Sequence, residues 1–182
     1  MFYYRIDKET ELRILELRYA EALFQLTDSC RDYLREWLPW VDATQSPEDT
    51  KSFIRFSLKQ FAENNGFTAG IFYNGQIAGT ISFHSFDWVN KSTSIGYWLG
   101  ESFQGKGMMT KAVKALVDYA ILDLGLNRVV IKAAVNNHKS RAIPERLGFV
   151  QEGIEREAEW VNDRFLDLVV YSMLAKDWRE KQ

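Results

Sequence analysis

The fold of this chain is decided by the stretch Ser92-Thr-Ser-Ile-Gly-Tyr-Trp-Leu99 and the Gly-rich segment that follows it, Gly100-Glu-Ser-Phe-Gln-Gly-Lys-Gly-Met-Met-Thr110. Residues 92–99 have the pattern of a β-strand, and residues 107–124 carry an apolar stripe at helical spacing. Residues 128–135 (RVVIKAAV) are typical of a buried strand. A strand, a helix and a strand in this order predict a parallel pair, and ligands of such sheets bind at the carboxyl ends of the central strands.

Antiparallel strands are predicted on both sides of this unit. Asn74-Gly75 suits a tight hairpin turn between strands at 67–73 and 76–86. Asn162-Asp163 separates two further strands, 150–160 and 164–174, and residues 11–17 alternate as a first strand. The sequence therefore predicts an α/β fold: a mixed, mostly antiparallel sheet with a central parallel strand pair, flanked by helices.

Two helical segments precede the hairpins. Apolar residues at spacings of three and four predict one helix or two over residues 19–40, ended by Pro39. Ser46-Pro47-Glu48-Asp49 has the pattern of a helix start, with Ser as the N-cap and Pro in the first turn. A short helix is expected over residues 140–147, closed by Gly148.

Composition narrows the class of protein. The 182 residues fit one domain, 1–182, and 23 basic against 25 acidic residues give no general footprint for nucleic acid or an anionic membrane. One cysteine, Cys30, excludes an internal disulfide, and with only two histidines it leaves too few ligands for a zinc site, so we expect no metal. No apolar run approaches the roughly 20 residues of a membrane span. We expect a cytoplasmic protein.

The Gly-rich segment between strand and helix is suited to bind a phosphate group. Glycines bring several backbone N–H groups to bear on one anion, and the following helix adds its N-terminal partial positive charge. An ordinary strand-to-helix turn is the alternative. A nucleotide P-loop would use Gly100, Gly105 and Lys106, but Gly107 stands where that motif needs Ser or Thr for magnesium.

An ordered set of motifs over residues 95–149 resembles the GNAT acetyltransferase superfamily, especially its RimJ/RimL-type N-terminal acetyltransferases. The segment from Gln104 to Met109 matches the family's pyrophosphate loop at the Gln and at Gly107, whereas Met109 stands where the family has a small residue. The other matching motifs are Ile95-Gly-Tyr-Trp-Leu99, Leu124-Gly-Leu-Asn-Arg-Val129, Asn137-x-x-Ser140 and Leu147-Gly-Phe149, with weaker matches at residues 34–40 and 158–162.

This resemblance implies transfer of an acetyl group from acetyl-coenzyme A to an amine by direct attack, without an acyl-enzyme. Glu159 is the candidate base, and a position beside Trp160 would partly desolvate it and raise its pKa. Ser140 is the candidate acid, although it could simply cap a helix. Family members often place a Tyr acid four residues before the Gly of Gly-Phe, where this chain has Pro144.

The resemblance also implies the binding residues. Gln104, Gly105, Lys106, Gly107, Met108, Met109 and Thr110 would hold the pyrophosphate. Asn137 and the backbone of Trp98 and Leu99 would contact the pantetheine arm, although their side chains could equally be core. Trp37 and Trp40 would face the acceptor.

The acceptor is expected to be a protein N-terminal α-amine, as in ribosomal-protein acetyltransferases. Two alternatives stay open: an acetyltransferase for a small amine or polyamine, for which Asp42, Glu48 and Asp49 could supply an acidic pocket, and a coenzyme A-binding sensor without turnover. The resemblance further suggests a homodimer, with contacts from the aromatic residues of the C-terminal hairpin: Trp160, Phe165 and Tyr171.

Overall fold

The computed structural model describes residues 3–181, which form one eight-stranded sheet with helices on both faces. The strand order is β1-β2-β3-β4-β5-β6-β8-β7, and every neighbouring pair is antiparallel except β5 and β6. The strands are β1 (Tyr4–Arg5), β2 (Thr10–Ile14), β3 (Phe67–Tyr73), β4 (Gln76–Asp87), β5 (Ser92–Leu99), β6 (Arg128–Ala134), β7 (Val150–Val161) and β8 (Arg164–Leu174). The predicted fold class is confirmed, including the single central parallel pair.

The described residues contain six α-helices: α1 (Ala20–Ser29), α2 (Arg31–Arg35), α3 (Pro47–Ala62), α4 (Met108–Asp118), α5 (His138–Arg146) and α6 (Ala175–Arg179). The segment predicted as one helix or two over 19–40 is two, with a break at Cys30, where φ is −132° and ψ is 32°. Thr27 and Ser29 donate hydrogen bonds to carbonyls of the preceding turn, and such back-bonding bends helices. The tryptophans at 37 and 40 therefore lie in turns beyond α2.

Helix α3 begins where the sequence predicts it. Ser46 Oγ accepts a hydrogen bond from the backbone N–H of Asp49, and the Asp49 carboxylate accepts one from the backbone N–H of Ser46. This reciprocal capping box satisfies two donors that the first helical turn leaves unpaired. It also fixes the helix that covers one face of β3 and β4.

Alternation along β4 divides its side chains between two environments. Ile81 and Phe83 are buried in the main core with α4, whereas Thr80, Ser82 and His84 point to the face covered by α1 and α3. On that second face the apolar residues form a smaller cluster at the α1 end. The rest of the face is left to polar side chains that line a cavity.

Strands β5 and β6 separate after a short paired segment, and we call the gap between their carboxyl ends the fork. The ladder between β5 and β6 spans three residue pairs, Ser92–Ser94 with Arg128–Val130, and both strands continue beyond it. Past this point β5 stays paired with β4, and β6 stays paired with β8. The carboxyl ends of the two central strands therefore diverge, which leaves a backbone edge on β5 from residue 95 to 99.

A bulge in β7 corrects one expectation. Strict alternation would put Glu155, Glu157 and Glu159 on one face, but the register shifts between Glu155 and Glu159, where three residues of β7 oppose one residue of β8. Glu157 occupies the bulge with φ 48°, and its backbone N–H donates to Asp167. Glu155 and Glu159 stay in the ladder, and Glu157 leaves it.

Candidate active site

A groove of about 860 Å³ lies at the carboxyl end of β5, between α2, α4 and α5. Its floor is the turn from residue 104 to 110, in which Gly105 and Gly107 have φ values of 75° and 73°. These left-handed conformations favour glycine, and the turn leads into the N-terminus of α4, whose first residues line the groove and leave backbone N–H groups without helical partners. Met109 is buried in the core below the turn, so the large residue at this position does not occupy the turn itself.

Cationic side chains border this groove, and two of them were not predicted. Lys139 Nζ lies 3.1 Å from Gln104 Oε1, and Arg146 Nη1 lies 3.3 Å from Thr110 Oγ1. Lys106 instead lies 4.4 Å from the centre of the Tyr73 ring, a cation–π contact. The groove therefore combines backbone N–H donors with exposed cations, which suits the phosphates and pantetheine arm of coenzyme A.

A second cavity, of about 630 Å³, lies between α3 and the face of β4 and β5 that carries Thr80, Ser82 and His84. Its walls are aromatic: Trp37, Trp40, Phe53, Phe56 and Trp98. Phe53 and Phe56 were not predicted as site residues, because at the level of sequence they belong to the apolar stripe of α3. Of the titratable groups, Glu159, His84 and Lys132 line this cavity together with Tyr97.

The two cavities meet at the fork, and we call the place that both of them line the junction. The residues that line both are Trp37, Leu38, Tyr97, Trp98, Asn137 and Ser140. Four of these six had been singled out in the sequence, on three segments that are far apart along the chain. The structure thus brings Trp37, Trp98, Asn137 and Ser140 to one place, and Leu38 and Tyr97 join them.

Ser140 is held at this junction by its backbone. Tyr97 donates a hydrogen bond to the Ser140 carbonyl at 2.9 Å, and the Ser140 N–H donates to Asn137 Oδ1 at 3.1 Å. Asn137, and not Ser140, is therefore the N-cap of α5. The Ser140 hydroxyl makes only a 3.5 Å contact with the Tyr97 hydroxyl, whose pKa burial raises well above its usual range. A neutral hydroxyl pair thus faces the junction.

Glu159 is half-buried in the second cavity, and this burial raises the pKa of its carboxyl group. The expected cause is wrong in one detail. Trp160 points to the opposite face of β7, where it is 53% exposed and lies 4.7 Å from the Phe165 ring, centre to centre. The cavity walls, and not the neighbouring tryptophan, therefore remove water from Glu159.

A bridge of hydrogen bonds crosses the fork above the junction. At the tip of the β7–β8 hairpin, the Asn162 side chain donates to the Arg35 carbonyl, and Arg164 donates to the Glu36 carbonyl at 3.1 Å. Arg35 in turn pairs with both oxygens of Asp42 at 2.9 and 2.7 Å. The turn carrying Trp37 and Trp40 is thereby tied to the hairpin that carries Glu159.

The remaining candidates lie elsewhere. Cys30 is buried, and burial raises the pKa of its thiol, as suits a core residue. Asp42, Glu48 and Asp49 are each engaged on the surface, with Arg35, with Lys51 and with the start of α3. These three carboxylates do not line the second cavity. Within residues 3–181 no group of three His, Cys, Asp or Glu side chains could hold a metal ion, and no helix is long and apolar enough to cross a membrane.

Comparison with known proteins decides the family. A family model described as an acetyltransferase (GNAT) domain matches residues 10–150. The chain belongs to the GNAT acetyltransferase family. It is an acetyl-coenzyme A-dependent N-acetyltransferase of that family.

Individual relatives support this membership. The chain is 41% identical to YdaF of Bacillus subtilis (strain 168), named a putative ribosomal N-acetyltransferase, over 98% of both chains. A structure of RimL, a ribosomal L7/L12 α-N-protein acetyltransferase in complex with coenzyme A, is 30% identical with a TM-score of 0.92, covering 97% of this chain and 99% of that one. The microcin C7 self-immunity acetyltransferase MccE, solved with acetyl-CoA and AMP, is 35% identical with a TM-score of 0.89 over 93% and 94%.

Proposed function

We propose that this acetyltransferase modifies the N-terminal α-amine of a protein, in the manner of the ribosomal-protein acetyltransferases it resembles. The observation that carries the proposal is the meeting of the two cavities at Ser140, with Glu159 on the acceptor side. A coenzyme held in one groove and an amine held in the other would present their reacting atoms to each other at this junction.

Each predicted residue has a role in this proposal. The turn from Gln104 to Thr110, including Gly105, Lys106, Gly107, Met108 and Met109, borders the pyrophosphate, with Lys139 and Arg146 adding charge. The edge of β5 at Trp98 and Leu99 offers backbone groups to the pantetheine arm, and Asn137 keeps its amide N–H₂ for the same arm while its oxygen caps α5. Trp37 and Trp40 enclose the acceptor.

The proposed reaction has three proton transfers. Glu159 takes a proton from the ammonium, directly or through a water, and the neutral amine attacks the thioester carbon. When the tetrahedral intermediate collapses, the C–S bond breaks and the Ser140 hydroxyl gives its proton to the departing thiolate. The nitrogen releases its second proton, which restores Ser140, so the net products are the amide, free coenzyme A and one proton.

The chemistry of the cavity favours an α-amine over the alternatives. An α-amine has an unperturbed pKa near 7.7–8.0 against about 10.4 for lysine, so one carboxylate base suffices for it more easily. A polyamine carries several cations and needs several acids. Glu159 is the one carboxylate that lines the described cavity, where Lys132 adds a positive charge.

Competition kinetics test the proposal. Release of coenzyme A thiol is followed with a short peptide that has a free N-terminus and a neighbouring lysine, the same peptide with a blocked N-terminus, and spermidine. We expect the free N-terminus to give the highest kcat/KM. A higher value for the blocked peptide or for spermidine contradicts the proposal. Binding of acetyl-CoA with no thiol released in the presence of any of the three acceptors would identify a sensor.

A homodimer is a further part of the proposal, with one change from the sequence-based expectation. Trp160 and Phe165 are 53% and 56% exposed and form an aromatic pair on the hairpin, and Ile154 is a further exposed apolar residue of the edge strand β7. Tyr171 is buried and hydrogen-bonded to Arg141 and Glu145, so it cannot contribute to that surface. Light scattering at micromolar concentration is expected to give twice the mass of one chain for the parent protein and the mass of one chain for Trp160→Glu. A monomeric parent protein contradicts this part of the proposal.

A further inference from the structure

The acceptor cavity continues beyond the junction to a polar floor that the proposed reaction does not use. This floor consists of Thr68 on β3 and Thr80, Ser82 and His84 on β4, opposite the phenylalanines of α3. The Thr68 and Ser82 hydroxyls are hydrogen-bonded to each other at 2.9 Å. Of these floor residues, His84 presents the largest polar group.

The imidazole ring of His84 has a fixed position. Its Nδ1 lies 3.1 Å from Ser94 Oγ on β5. Its Nε2 and Cε1 occupy the space over Gly96, where a Cβ atom would clash with both. The His84 carbonyl accepts a hydrogen bond from the Gln60 side chain of α3 at 2.9 Å. Two strands and one helix therefore hold this residue.

The ring lies beside the fork. Ser94 is the last residue of β5 in the ladder with β6, and Gly96 lies two residues beyond it on the diverging edge. Tyr97, the next residue, touches Ser140 at the junction of the two cavities. An acceptor whose amine lies at the junction would have its next atoms within reach of the His84 ring.

The ring is suited to a neutral hydrogen-bonding group. Burial lowers the pKa of His84, so the imidazole is neutral at neutral pH. A neutral imidazole has one donor and one acceptor nitrogen, and here Nδ1 is already engaged with Ser94. Nε2 is left for a partner in the cavity, and a hydroxyl group can match it in either tautomer, because a hydroxyl both donates and accepts.

We propose that His84 is a specificity-determining residue, whose Nε2 hydrogen-bonds the side-chain hydroxyl of the acceptor's first residue. The preferred acceptor is then an N-terminus that begins with Ser or Thr, and not with Ala. This inference rests on the proposed function, since it places an α-amine at Ser140. A hydroxyl-bearing residue satisfies Nε2, whereas a bound Ala peptide would cover this atom without offering it a partner, which selects against Ala.

The test measures kcat/KM for two peptides that differ only in their first residue, Ser or Ala. We expect the parent protein to prefer the Ser peptide by about tenfold or more, the usual effect of one such hydrogen bond. His84→Met fills a similar volume without the polar atom and is expected to bring the ratio close to one. His84→Gln can place an amide near the position of Nε2 and should restore part of the preference.

A second variant moves the ring without changing its chemistry. Gly96→Ala introduces the clashing Cβ, displaces the imidazole and should lower the Ser-to-Ala ratio, while the affinity for acetyl-CoA reports that the fold is intact. The inference is overturned if the parent does not prefer Ser, or if His84→Met lowers both peptides equally and leaves the ratio unchanged. If the parent protein acetylates neither peptide, the proposed function itself fails, which is a separate result.

Discussion

The coenzyme groove and the acceptor cavity are built in different ways. The floor of the groove is one continuous turn, residues 104–110, which is suited to bind mainly through backbone N–H groups and glycine conformations. The acceptor cavity is assembled from the side chains of helices α1 and α3, the turn after α2, and strands β3 to β8. Backbone groups suit the proposed coenzyme, whose phosphates need only N–H donors, whereas side chains from separate segments can change independently with the acceptor.

This difference separates binding of the coenzyme from chemistry on the acceptor. Substitutions in the groove should change affinity for acetyl-CoA, and substitutions in the cavity should change turnover or acceptor preference. The following predictions test that separation.

The largest effect is expected at Glu159. Glu159→Gln should lower kcat by about 10²–10⁴-fold and leave the affinity for acetyl-CoA nearly unchanged, because it removes the base but keeps the volume. The matched control is Glu157→Gln, whose carboxylate lies in the β7 bulge and does not line the cavity. Steady-state kinetics with calorimetry measure both quantities, and an equal loss in the two variants would remove Glu159 from the mechanism.

The pH profile gives Glu159 a separate signature. Burial raises its pKa, so the rate should fall as pH falls through a value above the ordinary Glu range, where the base becomes protonated. The amine loses its own proton near pH 8, which adds a second rise. In Glu159→Gln the lower break should vanish and the upper one should remain. Retention of both breaks would assign the lower one to another group.

Ser140→Ala is expected to lower kcat by about 10–10²-fold without loss of stability. The fold should tolerate the change because the closest contacts of Ser140 use its backbone N–H and carbonyl, and alanine keeps both. Asn137→Ala gives the contrast: it removes the cap of α5 and should cost about 1 kcal/mol of stability. Thermal unfolding next to turnover distinguishes the two, and an unchanged kcat for Ser140→Ala excludes it as the acid.

Gly107→Val should weaken acetyl-CoA binding by about 10–100-fold, since a β-branched residue at φ 73° costs a few kcal/mol and changes the turn. Gly75→Val is the matched control, because Gly75 has φ 79° and equally open surroundings in the β3–β4 turn. Both variants should lose similar stability, but only Gly107→Val should lose affinity. Calorimetry in EDTA also tests binding without a metal: affinity that disappears with the chelator would contradict it.

The smallest effect is expected at the bridge over the fork. Removing the side chains of Asn162 and Arg164 together should raise KM for the acceptor by about 2–5-fold, because exposed hydrogen bonds contribute little individually. The affinity for acetyl-CoA should not change. A loss of coenzyme affinity instead would mean that the bridge supports the groove and not the acceptor cavity.

The same difference explains how much the sequence could predict. Local signals were sufficient for the turn from Gln104 to Thr110, for the hairpin at Asn74-Gly75 and for the capping box of α3, because each depends on residues close in sequence. The family resemblance singled out Trp37 for the acceptor and Ser140 as the acid, but it did not predict that both would line the same junction. Backbone irregularities were beyond it: no glycine or proline marks the helix break at Cys30, and the bulge at Glu157 depends on a hydrogen bond to the neighbouring strand β8.

The acceptor cavity was the least predictable part for the same reason. Phe53 and Phe56 follow the apolar period of α3 and look like core residues until the helix is packed on the sheet. His84 has no partner in its own sequence neighbourhood, since Ser94 and Gly96 reach it from the next strand. Tyr171 shows the reverse case, because an aromatic residue in a hairpin was expected at a surface and is buried.

In the proposed reaction, a coenzyme and an N-terminal amine meet at Ser140 from opposite cavities. A crystal structure with a bisubstrate analogue, coenzyme A joined through its acetyl group to the α-amine of a Ser-initiated peptide, tests it most directly. We expect the coenzyme half in the groove from Gly105 to Arg146, the peptide half between Trp37 and Phe56, and the joining carbonyl beside Ser140 and Glu159. A peptide half that leaves the junction without entering the cavity of Glu159 would contradict this account.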